Sequence, residues 1–229
     1  MLGESKLDFL VECSFDEKLM HTDAESFIKL LVDNLGMEYL VVGTDFRFGY
    51  KGLGNVELLK DLSKKFGFEL EIIEKLKKES RDISSTYIRE ELVSGNIKNV
   101  NEMLGYEYFV WGEVVHGAHL GNKLGMPTIN IMPPKEKLVP KFGVYLTYID
   151  IDGRKYHGIT NVGMKPTVSS SNAVGIETHI LDYNGDLYGE KLKVTFLEFL
   201  RPEKKFDSID SLKNQMLLDK KKARELFNQ

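Results

Sequence analysis

The stretch GNKLGMPTIN, residues 121–130, changes the character of the chain. Two glycines, a lysine and a proline open it up, as glycine and proline do in loops. The residues TINI that complete it read as a strand. On a strand Thr128 and Asn130, two residues apart, share one face, while Ile129 points the other way. A hydroxyl and an amide oxygen are hard ligands; with phosphate oxygens and waters they could complete the octahedron that Mg2+ prefers. The same residues also suit an ordinary turn followed by a hydrogen-bonded Thr/Asn pair, and taken alone the stretch fits either. It is not a P-loop, because GxxxxGK[ST] is absent and a strand follows where a helix should.

Downstream, short strands alternate with glycine-rich turns. YFVWGEVVHG, TINI, GVYLTYIDI, KYHGITNVG, GIETHILDY and EKLKVTFLEFL predict six strands at the spacing of an antiparallel barrel. Asp152-Gly153 and Asn184-Gly185 carry hairpin chemistry. DSIDSLKNQMLLDKKKAREL predicts a closing helix capped by Asp207 or Ser208, with Ile209, Leu212, Met216 and Ala223 as its apolar stripe. Lys220–Lys222 reads as a solvated face near the helix C-terminus, where cations are favoured.

Upstream of Gly105, helix and strand signals alternate instead. Strands are expected in KLDFLVECSF (Lys6–Phe15), EYLVVG (Glu38–Gly43) and FELEIIE (Phe68–Glu74). EYLVVG is a continuous apolar run of the kind buried on both faces. Helices are expected over Asp23–Gly36, Asn55–Gly67, Ser84–Gly95 and, shorter, Asn99–Leu104. The alternation predicts a parallel sheet that binds ligands beyond the carboxyl ends of its strands. The expected fold class is therefore α/β followed by β, divided near Glu107 into residues 1–106 and 107–229.

Composition narrows the function. The 229 residues carry 31 Lys+Arg against 35 Asp+Glu, a net charge of −4, so no global basic field exists for nucleic acid. An anionic substrate would be held by backbone N–H groups, a few lysines or a metal. The single cysteine, Cys13, excludes an intrachain disulfide and suits a reducing cytosol; within FLVECSF it reads as a core residue. No signal-peptide pattern is present and no apolar run is long enough to span a bilayer. A cytoplasmic protein is expected, with neither nucleic acid nor membrane as partner.

Four constellations could carry chemistry. The loop HGAHLGNKLGMPTIN spaces Gly117, Gly121 and Gly125 so that backbone N–H groups could approach a phosphate, with Lys123 among them. In GIETHILDYNGDLYG, Glu177, His179 and Tyr183 alternate onto one face against Ile176, Thr178 and Ile180; Glu177 there is a general base or a rim charge. GTDFRFG follows a strand directly, with Gly43, Asp45, Phe46 and Gly49 as a ligand loop or as a loop plugging the core. In ISSTYIRE, Ser84, Ser85 and Thr86 could hold a phosphate at a helix N-terminus with Arg89 one turn on, or simply cap the helix. His116 and His119 have no carboxylate or cysteine nearby to complete a zinc site. GxSxG is absent, and Cys13 has no base beside it.

Taken in order, these motifs resemble the bacterial bifunctional riboflavin kinase/FAD synthetase family over essentially the whole chain. GEVVHG…G…LGMPTIN, GVY, TNVGMKPT, ETHILDY…DLYG and FLRPEKKFDS look like the riboflavin kinase module. GTDFRFG and ISSTYIRE look like two signatures of the FMN adenylyltransferase module. The resemblance implies a six-stranded barrel with a C-terminal helix that moves the γ-phosphoryl of ATP to the 5′-hydroxyl of riboflavin with Mg2+, giving FMN. It implies that Gly117, Gly121, Lys123, Gly125, Pro127 and Thr128 meet ATP and that Thr128 and Asn130 meet the metal. It also implies that Glu177 is the catalytic carboxylate and that the segment around Arg201 helps form the flavin side. Ile129 stands where the family's PTAN motif has alanine, on the strand face away from the site.

The adenylyltransferase half departs from the pattern. The family's H-x-G-H phosphate loop is absent, since the histidines stand at 21, 116, 119, 157 and 179. A truncated Rossmann-like nucleotidylyltransferase domain is therefore expected, its first strand, phosphate loop and first helix missing and its sheet left with an open edge. Gly43, Asp45, Phe46, Gly49, Ser84, Ser85, Thr86 and Arg89 would be its remnants. The leading reading is a riboflavin kinase that makes little or no FAD. The alternatives are a fully bifunctional enzyme whose N-terminus is absent from this sequence, and a non-catalytic flavin-binding module that kept the barrel.

Overall fold

The computed structural model describes residues 6–117, 121, 124–165 and 173–227. They form two compact units that divide between Glu79 and Ser80.

In the first unit, side-chain caps set where the helices begin. After a single turn, α1 (Glu17–Met20), Asp23 accepts from the Ser26 N–H to start α2 (Ala24–Leu35). Asn55 does the same from Leu58 to start α3 (Val56–Phe66). Gly36 and Gly67 end these helices in the left-handed conformation. Strands β1 (Tyr39–Gly43) and β2 (Glu69–Ile73) pair in parallel, as the alternating pattern predicts, with Leu40 opposite Leu70 and Val42 opposite Ile72. Those residues turn toward Ile28, Leu59, Leu62 and Phe68 in one apolar cluster.

Two expectations fail here. Residues 6–15 join no ladder; Phe9 is 88 % exposed, and Cys13 is exposed instead of lying in a core. An apolar run is only a strand when a neighbour supplies hydrogen bonds, and none of the described residues does so here. Strand β1 is also not buried on both faces. The helices cover the side of Leu40 and Val42, while Tyr39 and Val41 stay exposed on the other.

Two-residue strands β3 (Lys77–Lys78) and β4 (Arg81–Asp82) occupy the connection. In the second unit, α4 (Ser85–Ser94) and α5 (Ile97–Leu104) precede six strands. These are β5 (Phe109–Val115), β6 (Ile129–Ile131), β7 (Gly143–Ile151), β8 (Arg154–Lys165), β9 (Ala173–Ile180) and β10 (Lys191–Arg201). They close into an antiparallel barrel in the order β5-β6-β9-β8-β7-β10, with β10 returning to β5. The β7–β8 turn uses positive φ at Asp152 (52°) and Gly153 (75°), the hairpin chemistry expected of that pair. Asn184-Gly185 makes no hairpin and sits in the loop between β9 and β10.

Alternation sorts the strands. Tyr145, Ile149 and Ile151 of β7 join the interior with Val110, Ile131 and Phe196. Val144 and Leu146 face outward and are covered by the final helix, α6 (Ile209–Phe227), through the fully buried Ala223. Ser208 caps α6 by accepting from Ser211. Of the predicted stripe, Leu212 and Met216 are half-buried, and Ile209 is exposed. Among the described residues, no helix is long and apolar enough to cross a membrane.

The helices before the barrel share its core: Leu92, Ile97 and Val100 belong to the same buried cluster as Tyr145 and Phe196. The division at Glu79–Ser80 thus falls well before Glu107, because α4 and α5 bury their apolar faces on the barrel. Truncating a buried isoleucine costs roughly 2–5 kcal/mol. Ile97→Ala should therefore destabilise the barrel unit by that amount in denaturant unfolding, and a barrel fragment starting at 107 should be less stable than one starting at 80. Equal stability of the two fragments would contradict the shared core.

Candidate active site

Strand alternation that fills the barrel also sets the site on its outer face. Ile176, Thr178 and Ile180 are buried within, which leaves Glu177 and His179 pointing outward from β9. The expected third member, Tyr183, is not on that face. Strand β9 ends at Ile180, Asp182 takes φ 56°, and Tyr183 packs edge-on against Tyr156 instead. Antiparallel register puts Asn130 of β6 and Asn161 of β8 directly opposite Glu177, one on each side. Directly opposed residues share a face, so three polar side chains stand in a row across three strands.

Thr128, just before β6, donates its hydroxyl to Glu177 Oε1 at 2.6 Å. Asn130 is 5 % exposed, and its Oδ1 is buried with no hydrogen-bond partner among the described residues. Leaving such an oxygen unpaired costs about 1–3 kcal/mol, which a donor or a cation would recover. The glycines fit around this pair. A Cβ at Gly117 would lie 2.3 Å from Asn130 Nδ2, so only glycine lets the chain pass over the amide. Gly121 accepts from the Leu124 and Met126 N–H groups, tying the loop into a turn ahead of Pro127. Gly125, with φ 73°, faces open space. Lys123 and His119 lie outside the described residues.

Two cavities meet at Thr128. The larger, about 320 Å3, runs between the barrel and α6. Its apolar wall includes Val144, Ile159, Phe206, Leu212 and Met216, and its polar end carries Glu177, Asn161 and His179. The smaller, about 250 Å3, is lined by Pro127, Tyr183, Asp186 and Tyr188 on the other side of Thr128. Arg201 also lines the larger cavity, with its guanidinium committed to Asp219. Nε donates to both carboxylate oxygens at 3.0 and 3.1 Å and Nη2 to Oδ2 at 2.6 Å, with Gln215 completing the carboxylate. This fork anchors α6 to the end of β10.

His179 is buried, and its Nδ1 donates to the Pro127 carbonyl at 2.8 Å. Burial holds its imidazole below the ordinary value; the Pro127 carbonyl pulls the other way, and Lys220 adds to the lowering.

The remaining motif residues are placed unit by unit. In the first unit, Gly43 ends β1 and the loop runs on from the strand's carboxyl end. Asp45 pairs with Lys75 at 2.5 Å, which holds its carboxyl below the usual range. Phe46 stacks on the buried Phe48 at 5.5 Å, and Gly49 passes against the Ala24 backbone. In the second unit, Ser84 caps α4 by accepting from Tyr87, with Ser85, Thr86 and Arg89 exposed on the following turns.

The profile of the riboflavin kinase family matches residues 104–227, and that of FAD synthetase matches residues 1–87. A bifunctional riboflavin kinase/FMN adenylyltransferase from Pseudomonas fluorescens is 35 % identical over 225 residues, covering 98 % of this chain and 72 % of that protein. The chain belongs to the bifunctional riboflavin kinase/FMN adenylyltransferase family. The Escherichia coli K12 member is 34 % identical over 228 residues, covering 99 % of this chain and 72 % of its own length. A crystal structure described as a macrolide-efflux protein from Streptococcus pneumoniae superposes with a TM-score of 0.84 at 31 % identity, covering 92 % of this chain and 68 % of that one. As a member of the riboflavin kinase family the protein is a transferase.

Three features of this riboflavin kinase segment escaped the sequence. Asn161 sits in TNVGMKPT, but only the pairing of β8 with β9 brings it beside Glu177. Asp219 looks like one more charge on a charged helix until Arg201 is found on it. The bond from His179 to Pro127 joins residues 52 apart in sequence.

The close passage of Gly117 over Asn130 is open to test. Gly117→Ala should cost about 1–3 kcal/mol in denaturant unfolding. Combined with Asn130→Ala it should cost less than the sum of the two single changes, because the clash has gone. Strict additivity would show that the two residues do not touch.

Proposed function

We propose that the chain phosphorylates riboflavin to FMN with ATP as donor. The observation that carries this reading is Thr128 standing in the shared wall of two cavities, with Glu177 beside it on the side lined by α6. A kinase needs two substrate sites that meet at the transferred group. The larger cavity suits the flat, largely apolar isoalloxazine, with the ribityl chain reaching toward Glu177. The smaller suits the nucleotide, with its phosphates directed at the loop from Gly117 to Thr128. A cytoplasmic setting fits ATP as the donor.

The step balances simply. A bond forms between the ribityl 5′ oxygen and the γ phosphorus. The bond from that phosphorus to the β–γ bridging oxygen breaks, leaving its electron pair on ADP, and the hydroxyl proton passes to Glu177. A carboxylate is too weak a base to ionise an alcohol beforehand. In a loose transition state the proton leaves late, and positioning with charge neutralisation does most of the work. Thr128 orients the Glu177 carboxylate for that role.

The unpaired Asn130 Oδ1 and the Thr128 hydroxyl fit Mg2+. Among the described residues no cluster of His, Cys, Asp and Glu could hold a metal alone. That suits an ion whose other ligands are phosphate oxygens and water. Bound there, it would neutralise charge on the phosphate oxygens.

For the second family activity we propose that FMN accumulates without FAD. The five histidines include no H-x-G-H pair, the feature that the family's adenylyl transfer uses. Incubating the chain with riboflavin, ATP and Mg2+ and chromatographing the flavins tests both statements. FMN alone is expected; FAD formed by this chain would overturn the proposal for the second activity, and riboflavin binding without turnover would favour the non-catalytic module. Glu177→Gln should lower kcat on the order of 100- to 10,000-fold with little change in KM. Asn130→Ala should raise the Mg2+ and ATP concentrations needed. An unaltered kcat for Glu177→Gln would refute the role of Glu177.

A further inference from the structure

We infer that His179 is a positioning residue for the nucleotide: it holds the Pro127–Thr128 turn by its Nδ1–H and ties that turn to helix α6 through Lys220. The inference deepens the kinase reading and rests on it for the identity of the substrates.

A carbonyl can only accept, so the 2.8 Å contact between His179 Nδ1 and the Pro127 oxygen puts the imidazole proton on Nδ1. Nε2 then offers its lone pair to Lys220 Nζ, 3.4 Å away on α6. The ring is 7 % exposed, so this tautomer is held away from solvent. Proline has no N–H to place in a ladder, which leaves its carbonyl as the handle by which the turn can be fixed. The next residue is Thr128, whose hydroxyl reaches Glu177. His179 thus lines the flavin-side cavity yet acts on the opposite one, which Pro127 and Thr128 line.

The link runs from α6 to the phosphate loop. Leu212, Met216 and Asp219 of α6 line the larger cavity, and Lys220 is the next residue on that helix. A flavin resting against α6 would therefore bear on the turn that receives the γ-phosphate. The fold does not need this link for anchorage. Arg201–Asp219 and the burial of Ala223 already hold α6 on the barrel.

Three variants separate positioning from lining. His179→Ala removes both ring contacts. His179→Asn can place an amide N–H where Nδ1 stood, and His179→Gln reaches only the position of Nε2. Affinity for ADP with Mg2+ is read by calorimetry, affinity for riboflavin by quenching of its fluorescence, and kcat and KM by FMN formation.

His179→Ala should weaken ADP binding and lower kcat/KM for ATP on the order of tenfold, the worth of one well-placed hydrogen bond. Riboflavin affinity should move by less than about threefold. His179→Asn should restore most of the loss and His179→Gln should not. If His179→Ala fails to fold, the comparison of Asn with Gln decides. Equal loss in Asn and Gln, or a loss confined to riboflavin affinity, overturns the inference. Because ADP binding is measured directly, wild-type protein that makes no FMN would sink the kinase reading and still leave the His179 comparison readable.

Discussion

The register of β6 on β9 sets Asn130 opposite Glu177, and a one-residue slip of either strand would turn its own side chain into the barrel. Strand β6 is only three residues long, so its own ladder can do little to prevent such a slip. The interior does more. Thr160 Oγ1 lies 2.8 Å from the hydroxyls of both Thr147 and Thr178, linking β7, β8 and β9 in a buried polar chain. A slip of β9 would break that chain and bury Glu177 in its place, at a cost far above the net worth of a few ladder bonds. The apolar core and its threonine chain therefore fix the outward polar row as firmly as they fix the barrel.

From that register the two halves of the site follow. Asn161 of β8 and Glu177 and His179 of β9 line the cavity against α6, whose Asp219 is held by Arg201 at the end of β10. Asp219 is 7 % exposed, and removing either partner would strand a charge at the cavity wall. On the other side of Thr128 the loop closes tightly only where glycine allows it, over Asn130. The rigid barrel carries the carboxylate and the amide, and in the proposed reading the glycine-rich loop would bring backbone to the phosphates. This division matches catalysis by positioning, in which the reacting atoms must already be aligned.

Much of this was legible in the sequence because it rests on local rules. Helix boundaries follow Asp23, Asn55 and Ser84 at one end and glycines at the other, and those signals need no knowledge of the rest of the chain. The six barrel strands follow from period-two alternation and turn residues, as does the outward face of Glu177 and His179. What failed depended on neighbours. FLVECSF has strand composition but no partner strand among the described residues. Strand β1 reads as doubly buried, yet only one face meets helices. Tyr183 continues the alternation on paper, but β9 has already ended at Ile180. Helices α4 and α5 look like part of the preceding α/β segment, and only their contacts with Tyr145 and Phe196 assign them to the barrel. Asp219 and Asn161 gain their meaning from residues distant in sequence, which no spacing rule encodes.

In the proposed reading the Asn130 amide and the Thr128 hydroxyl receive the metal that accompanies the nucleotide. Replacing Mg2+ with paramagnetic Mn2+ in the presence of ADP, and following side-chain amide resonances by NMR, tests it most directly. The Asn130 side-chain amide should broaden beyond detection at substoichiometric Mn2+, while Asn101 on the inner side of α5 keeps its signal. A persistent Asn130 resonance in protein that has bound Mn2+ and ADP would contradict it.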